Sequence, residues 1–224
     1  KLNTESFNVK LETGKTTSVA VTNEEQKGKI TIRKKGEVLT GVTGEEGNLT
    51  FVYGNADFAG AEYNIYAAED IYSQDKVTKV HKAGDLVESL TTGKDGSAVS
   101  KELYLGKYKV VEQKAPENLV IGKTEQERTQ FLTLSYAGQN VELSQGETVF
   151  TNARPEISVN VVKKSKHDDV TLEGATFGLY VEEDLTAADG KVLVEKGSLV
   201  ERAVSDREGT AVFDADIPLT FHYS

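Results

Sequence analysis

The sequence predicts an all-β fold built from small Ig-like β-sandwich modules in tandem, and two observations lead to this prediction. Short runs of alternating apolar and polar residues recur along the chain, among them KITIRK (29–34), EYNIYA (62–67), YKVVE (108–112) and ATFGLYV (175–181). Such alternation places every second side chain on one face of a strand. Turn pairs that contain glycine, such as Asp95-Gly96 and Asp189-Gly190, separate the runs. Short strands joined by tight turns are typical of small sandwiches.

Composition excludes several classes of partner and site. The net charge of −10 argues against nucleic acid and anionic membrane surfaces as partners. No apolar run approaches the ~18–20 residues that a membrane-spanning helix needs. The chain has no cysteine, which excludes disulfides and thiolate metal sites, and its histidines (His81, His167 and His222) lie far apart without ligand spacing. We therefore expect neither a metal nor a cofactor.

The chain repeats itself. FAGAEYNIY (58–66) matches LEGATFGLY (172–180), and AGDLVESLTTGKDGSAV (83–99) matches KGSLVERAVSDREGTAV (196–212). Asn23 and Asn152 lie 129 positions apart, as do Lys34 and Lys163. The repeats predict that residues 1–26 are closing strands of an upstream module, 27–154 a complete module and 155–224 the first part of a downstream module. Because the last segment lacks its later strands, we expect open sheet edges there.

One stretch interrupts the repeat. Residues 35–57 have a counterpart of only about eight residues in the downstream module, so they form an insertion. The insertion is irregular, glycine-rich and acidic. We expect an added hairpin with its turn near Gly44–Gly47.

Two charged residues are predicted to point into the core. Glu112 shares a strand face with Tyr108 and Val110, and Lys34 shares one with Ile30 and Ile32. Burial favours the neutral form of each group, which makes the lysine amine a competent nucleophile. Two alternatives remain open at this stage. The glutamate reaches solvent if its strand is an edge strand, and a one-residue bulge turns Lys35 inward in place of Lys34.

The order and spacing of four motifs resemble the Cna protein B-type domain, the prealbumin-like module of Gram-positive surface adhesins and SpaA-type pilins. The motifs are I-x-I-x-K (30–34), G-A-x-[FY]-x-[LI]-Y, Y-x-x-x-E-x-x-A-P (108–116) and a Thr-Asn pair at 151–152 before Arg154-Pro155. The resemblance implies an isopeptide bond between Lys34 and Asn152, promoted by Glu112. The alternative for Asn152 is a turn residue.

The same resemblance has implications for neighbouring modules and for function. Asn23 and Lys163 take the equivalent cross-link positions of the upstream and downstream modules, so their cross-link partners would lie outside this chain. The implied function is a structural stalk of a cell-wall-anchored, extracellular surface protein. Its cross-linking reaction happens once per molecule, so the protein is not an enzyme, and its partners are neighbouring modules of the same chain.

Two further expectations concern the surroundings of the cross-link and the insertion. The resemblance implies that apolar side chains surround the bond, and either Tyr63 or Tyr66 fills this role. The alternative function is a binding module that contacts a host matrix protein or glycan, with the 35–57 insertion as a displayed loop.

Overall fold

The computed structural model describes residues 4–219 and 222–223, and these residues form strands and turns without a helix. The all-β prediction is confirmed. The strands in chain order are β1 (Lys27–Glu45), β2 (Asn48–Asp57), β3 (Glu62–Ala67), β4 (Ile71–Tyr72), β5 (Lys79–His81), β6 (Leu86–Thr91), β7 (Ser97–Val99), β8 (Gly106–Lys114), β9 (Thr129–Leu134), β10 (Leu143–Asn152), β11 (Val159–Val162), β12 (Thr176–Tyr180), β13 (Leu185–Thr186), β14 (Val192–Val194), β15 (Leu199–Val204) and β16 (Thr210–Phe213).

The contacts divide the chain into two units whose segments alternate along the sequence. The first unit comprises Lys1–Lys35, Asp57–Glu117 and Ile121–Phe150, and the second comprises Gly36–Ala56, Asn118–Val120 and Thr151–Ser224. The insertion, which the repeats assign to the module 27–154, thus groups with the segment that follows residue 150. The division into repeat modules itself stays a prediction.

The first unit is a sandwich of two sheets. One sheet has the strand order β6-β3-β8-β9, and in the other β10 and β7 lie on either side of β1. Their inward faces supply one core, to which the larger contributors are Ile30, Ile32, Tyr63, Ile65, Tyr108, Val110, Leu134 and Phe150. The predicted registers of the strands at 29–34 and 108–112 are therefore confirmed.

The segment before β1 has no regular structure in its described part. Residues 4–26 contain turns and extended chain but no strand, and most of their side chains are exposed. The sequence led us to expect closing strands here. A strand needs backbone partners on a neighbouring strand, and in the repeat scheme those partners would belong to the upstream module. Residues 1–3 of the predicted segment lie outside the described part.

The second unit has a core of its own. β2 pairs with β15, which pairs with β12, while β11 pairs with β16 and β13 with β14. The insertion forms the predicted hairpin, since β1 ends at Glu45 and β2 begins at Asn48. β2 pairs with β15 at one position, Asn48 with Glu201, so the insertion meets this edge of β15; the expectation of open edges in the rest of the segment stays a prediction. Residues 220, 221 and 224 of the predicted downstream module lie outside the described part.

Candidate functional site

The core of the first unit contains an ion pair. Lys34 on β1 and Glu112 on β8 face each other from the two sheets, with 2.9 Å between Lys34 Nζ and Glu112 Oε1. Their side chains are 0% and 1% exposed. The distance is that of a close ion pair, although the angles at the two groups are not those of a hydrogen bond. The structure thus brings together two of the three residues predicted to form the cross-link.

Burial sets the protonation of the lysine. Desolvation lowers the pKa of Lys34 below the usual lysine value of 10.5, and the neighbouring Glu112 opposes this shift in part. A buried ammonium loses its hydration, and one close carboxylate does not fully replace it. At a given pH, a larger fraction of Lys34 is therefore in the neutral, nucleophilic form than of a surface lysine.

The backbone amide and carbonyl of Lys34 both form hydrogen bonds. Its amide donates to the Gly96 carbonyl at 2.7 Å, and its carbonyl accepts from the Phe58 amide at 3.0 Å. Gly96 has a φ of +68°, and a Cβ at this position would lie 2.9 Å from the Lys34 carbonyl oxygen. The Asp95-Gly96 turn that the sequence pattern indicated therefore fits closely against the cross-linking strand, and this position requires glycine.

The structure excludes both alternatives that the sequence left open. Lys35 points away from the core, where its Nζ lies 2.9 Å from Asp57 Oδ1 and its side chain is 39% exposed. β8 lies between β3 and β9, so Glu112 does not sit on an edge strand and does not reach solvent. The burial of Lys34 and Glu112 follows from the strand registers.

Tyr63 rather than Tyr66 lies beside the ion pair. Tyr63 is opposite Glu112 in the β3–β8 register and is 1% exposed. Burial raises the pKa of its phenol, and the nearby Glu112 raises it further. The hydroxyl makes no hydrogen bond of regular geometry to any described residue. Tyr66 is half-buried, and Lys109 lies over its ring.

Phe150 completes the apolar surroundings and was missed by the sequence reasoning. Its ring centroid lies 4.9 Å from that of Tyr63, with the two planes tilted by 49°. The signal was present in the pattern T-V-F-T-N, because Phe150 and Asn152 are two positions apart and share a strand face.

The other predicted cross-link positions have different surroundings. Asn152 is the last residue of β10, a neighbour of β1, and is buried. The division of the chain places Asn152 in the second unit, whereas Lys34 and Glu112 belong to the first. That Asn152 reaches Lys34 stays a prediction. Asn23 and Lys163 are both exposed and lie outside the strands.

Among residues 4–219 and 222–223, no group of three or more His, Cys, Asp or Glu side chains is arranged to hold a metal ion. His222 is paired with Glu183, with 2.7 Å between Nδ1 and Oε1. The same residues include no helix with the length and apolar character needed to cross a membrane.

A family comparison bears on residues of this core. Residues 53–130 match the model of the family SpaA, described as a prealbumin-like fold domain. The predicted resemblance to SpaA-type domains is confirmed. The matched segment contains Tyr63 and Glu112 and ends before Asn152. No curated protein matches the chain.

Several solved structures are similar to this chain at low sequence identity. The Bacillus anthracis TIE protein is 19% identical, with a TM-score of 0.45, over 84% of this chain and 26% of that one. The shaft pilin SpaA of Lactobacillus rhamnosus GG is 15% identical, with a TM-score of 0.34, over 88% and 86%. The minor pilin GBS52 of Streptococcus agalactiae is 14% identical, with a TM-score of 0.37, over 59% and 47%. The chain thus spans about a quarter of the TIE protein and about half of GBS52, and TM-scores this low support no inference about function.

Proposed function

We propose that this chain is a structural segment of a Gram-positive cell-surface adhesin or pilus-like protein, and that Lys34 and Asn152 form an isopeptide bond within it. The observation that carries the proposal is the buried 2.9 Å contact between Lys34 and Glu112. Removing two charges from water costs several kcal/mol per ion and is often not recovered by their attraction. A reaction that consumes the lysine charge gives this costly arrangement a purpose.

The proposed reaction is a transamidation that needs no external reagent. The neutral Lys34 Nζ attacks the Asn152 side-chain carbonyl carbon, a new C–N bond forms, and the bond to the Asn152 amide nitrogen breaks. Ammonia leaves, carrying the proton that the lysine amine gives up. The product is one neutral amide, and the chain loses the mass of one ammonia.

Glu112 has the role of a proton carrier in this reaction. In its protonated form it donates a hydrogen bond to the Asn152 carbonyl oxygen and polarises that carbonyl. It passes a proton to the leaving nitrogen and takes up the proton that the Lys34 amine gives up, so it ends in the protonated form in which it began. Tyr63 and Phe150 exclude water from the carboxyl and the amine, and the strands fix the reacting groups at contact distance, which raises their effective concentration. Glu112 acts once per molecule, so the protein is not an enzyme.

The bond would stabilise the first unit strongly. A link from position 34 to position 152 closes a loop of 118 residues. If it restricts the unfolded chain as a disulfide does, it contributes about 5 kcal/mol. Reducing agents do not break it. Because it would join β1 to the end of β10, a pull between these strands would load a covalent bond instead of backbone hydrogen bonds.

The family match supports an extracellular, surface-exposed parent protein. The proposed partners of this chain are neighbouring modules of the same protein, in line with the internal repeat of the sequence. Wall anchoring of that protein is part of the proposal.

Single-molecule pulling tests the structural role. With handles placed before β1 and after β10, the first unit of the cross-linked protein should not extend by the length of the 34–152 loop at any force that unfolds ordinary β-sandwiches. Extension by the full loop length at such forces would contradict the mechanical role.

The alternative function, binding of a host protein or glycan through residues 35–57, rested on a displayed loop. One face of this hairpin lies in the core of the second unit, so it is not a free loop. Deleting it to look for lost binding would also disturb that core, and loss of binding would then have two explanations.

A further inference from the structure

The 36–56 hairpin supplies part of the second core. Leu39 and Phe51 are each 7% exposed and belong to the same apolar cluster as Leu179, Val200 and Phe213. Three more apolar side chains of the hairpin are partly buried against this cluster, namely Val42, Leu49 and Tyr53. The alternation Leu49, Phe51, Tyr53 places one face of β2 inward, so this strand is amphipathic.

Backbone bonds fix the register of the hairpin in the second unit. Asn48 pairs with Glu201 of β15. The Gly47 amide donates to the Leu199 carbonyl at 2.9 Å, and the Ala188 amide donates to the Leu39 carbonyl at 3.3 Å. The turn of the hairpin and its first strand thus both bond to the segment after residue 150.

A second set of contacts, between polar groups, links the hairpin to Arg154 and Asp216. Its guanidinium lies 3.9 Å from the ring centroid of Tyr53 and forms an ion pair with Asp216. The Tyr53 hydroxyl donates to the Asp216 carbonyl at 2.7 Å, and the Arg154 amide donates to Glu37 Oε2 at 3.1 Å. Burial raises the pKa of Tyr53 to about 12, so the hydroxyl stays a donor at neutral pH.

The rest of the second unit is poor in long strands. Within its described residues after 150, the longest strand is β15 with six residues, and β13 has two. Short strands in small sheets bury too little apolar surface for independent stability. Removing Leu39 and Phe51 would open a cavity in this core and uncover the paired edge of β15.

We infer that residues 36–56 are a folding complement of the second unit: this unit presents an apolar face and a strand edge that accept an amphipathic hairpin, and the chain itself provides that hairpin. The inference does not depend on the cross-link.

The first unit does not need the hairpin. The base of the hairpin is closed within the first unit by the Phe58–Lys34 backbone bond and by the Lys35–Asp57 ion pair. Its apolar side chains belong to the second cluster and not to the first. Substitutions in the hairpin should therefore destabilise the second unit and leave the stability of the first unit unchanged.

Hydrogen exchange of the full chain tests the inference with a matched pair of variants. Phe51→Ala removes a core ring, and Val52→Ala alters the next residue, which is 41% exposed. Phe51→Ala should lower amide protection in β12, β15 and β16 about a hundredfold or more and leave β3 and β8 unchanged. Val52→Ala should change neither set. Equal protection in the two variants, or loss in β3 and β8 as well, would overturn the inference.

A second variant addresses the hairpin as a whole. Replacing residues 37–55 by Asn-Gly retains a tight turn where Lys34 and Phe58 are already bonded. The second unit should become the preferred site of limited proteolysis, while the loss of one ammonia and the protection of β3 and β8 match those of the full chain. A second unit that stays protected without its hairpin would contradict the inference. Absence of the ammonia loss in both proteins would refute only the cross-link.

Discussion

Replacing Asn152 by alanine removes the proposed acceptor of the lysine amine and leaves the Lys34–Glu112 contact in place. The 118-residue loop then stays open in the unfolded chain. The chain-entropy relation gives a loss of about 5 kcal/mol for a loop of this length. For the first unit, which has about 125 residues, this corresponds to a fall in Tm of about 20 °C.

Thermal unfolding followed by near-ultraviolet circular dichroism measures this loss, since the first core contains Tyr63 and Tyr108. Asn23→Ala is the matched control, because Asn23 occupies the equivalent repeat position and is exposed. The control should stay within about 0.5 kcal/mol of the parent. A loss of only about 1–2 kcal/mol in Asn152→Ala, as truncation of a buried amide causes by itself, would refute the loop-closure reasoning.

Three further predictions concern the reaction itself. Tyr63→Phe keeps the ring against Phe150 and removes the hydroxyl beside Glu112. Unreacted chain, isolated in urea before it has folded, should therefore form the bond more slowly on transfer to buffer, whereas Tyr66→Phe should react at the parent rate. Equal rates measured by mass spectrometry would remove the hydroxyl from the mechanism. Because burial lowers the pKa of Lys34, the rate of bond formation should rise with pH as the amine loses its proton, and this rise should occur below pH 10.5. A rate that is highest at acidic pH would contradict attack by the neutral amine. Peptide mapping should find one cross-link in the chain and none at Asn23 or Lys163, and a second ammonia loss at either residue would contradict the repeat scheme.

The sequence predicted the local features of the site because they depend on period two. The alternation that buries Ile30 and Ile32 also buries Lys34. In the same way, Glu112 is buried because it shares a strand face with Val110. That Tyr63 lies directly opposite Glu112 required the structure, because it depends on the register between β3 and β8. The strand pattern of a single segment does not give the pairing between strands.

The sequence predicted the turn of the hairpin but not the core against which the hairpin packs. Leu49, Phe51 and Tyr53 indicate that one face of β2 is buried, but a pattern of this kind does not say against which partner. The burial of Arg154 depends on the same long-range packing. The absence of strands in residues 4–26 has a related cause, because a strand forms only where a second strand supplies its hydrogen bonds.

The intact mass of the folded protein, compared with that of Glu112→Ala, tests the central claim most directly. The exposed Glu117, five positions further on, provides the control variant Glu117→Ala. The parent and the control should each lack the mass of one ammonia, the Glu112 variant should have its full mass, and digestion should locate the bond between Lys34 and Asn152. A full, unmodified mass for the folded parent would contradict the account, and the buried Lys34–Glu112 pair would then be a structural ion pair.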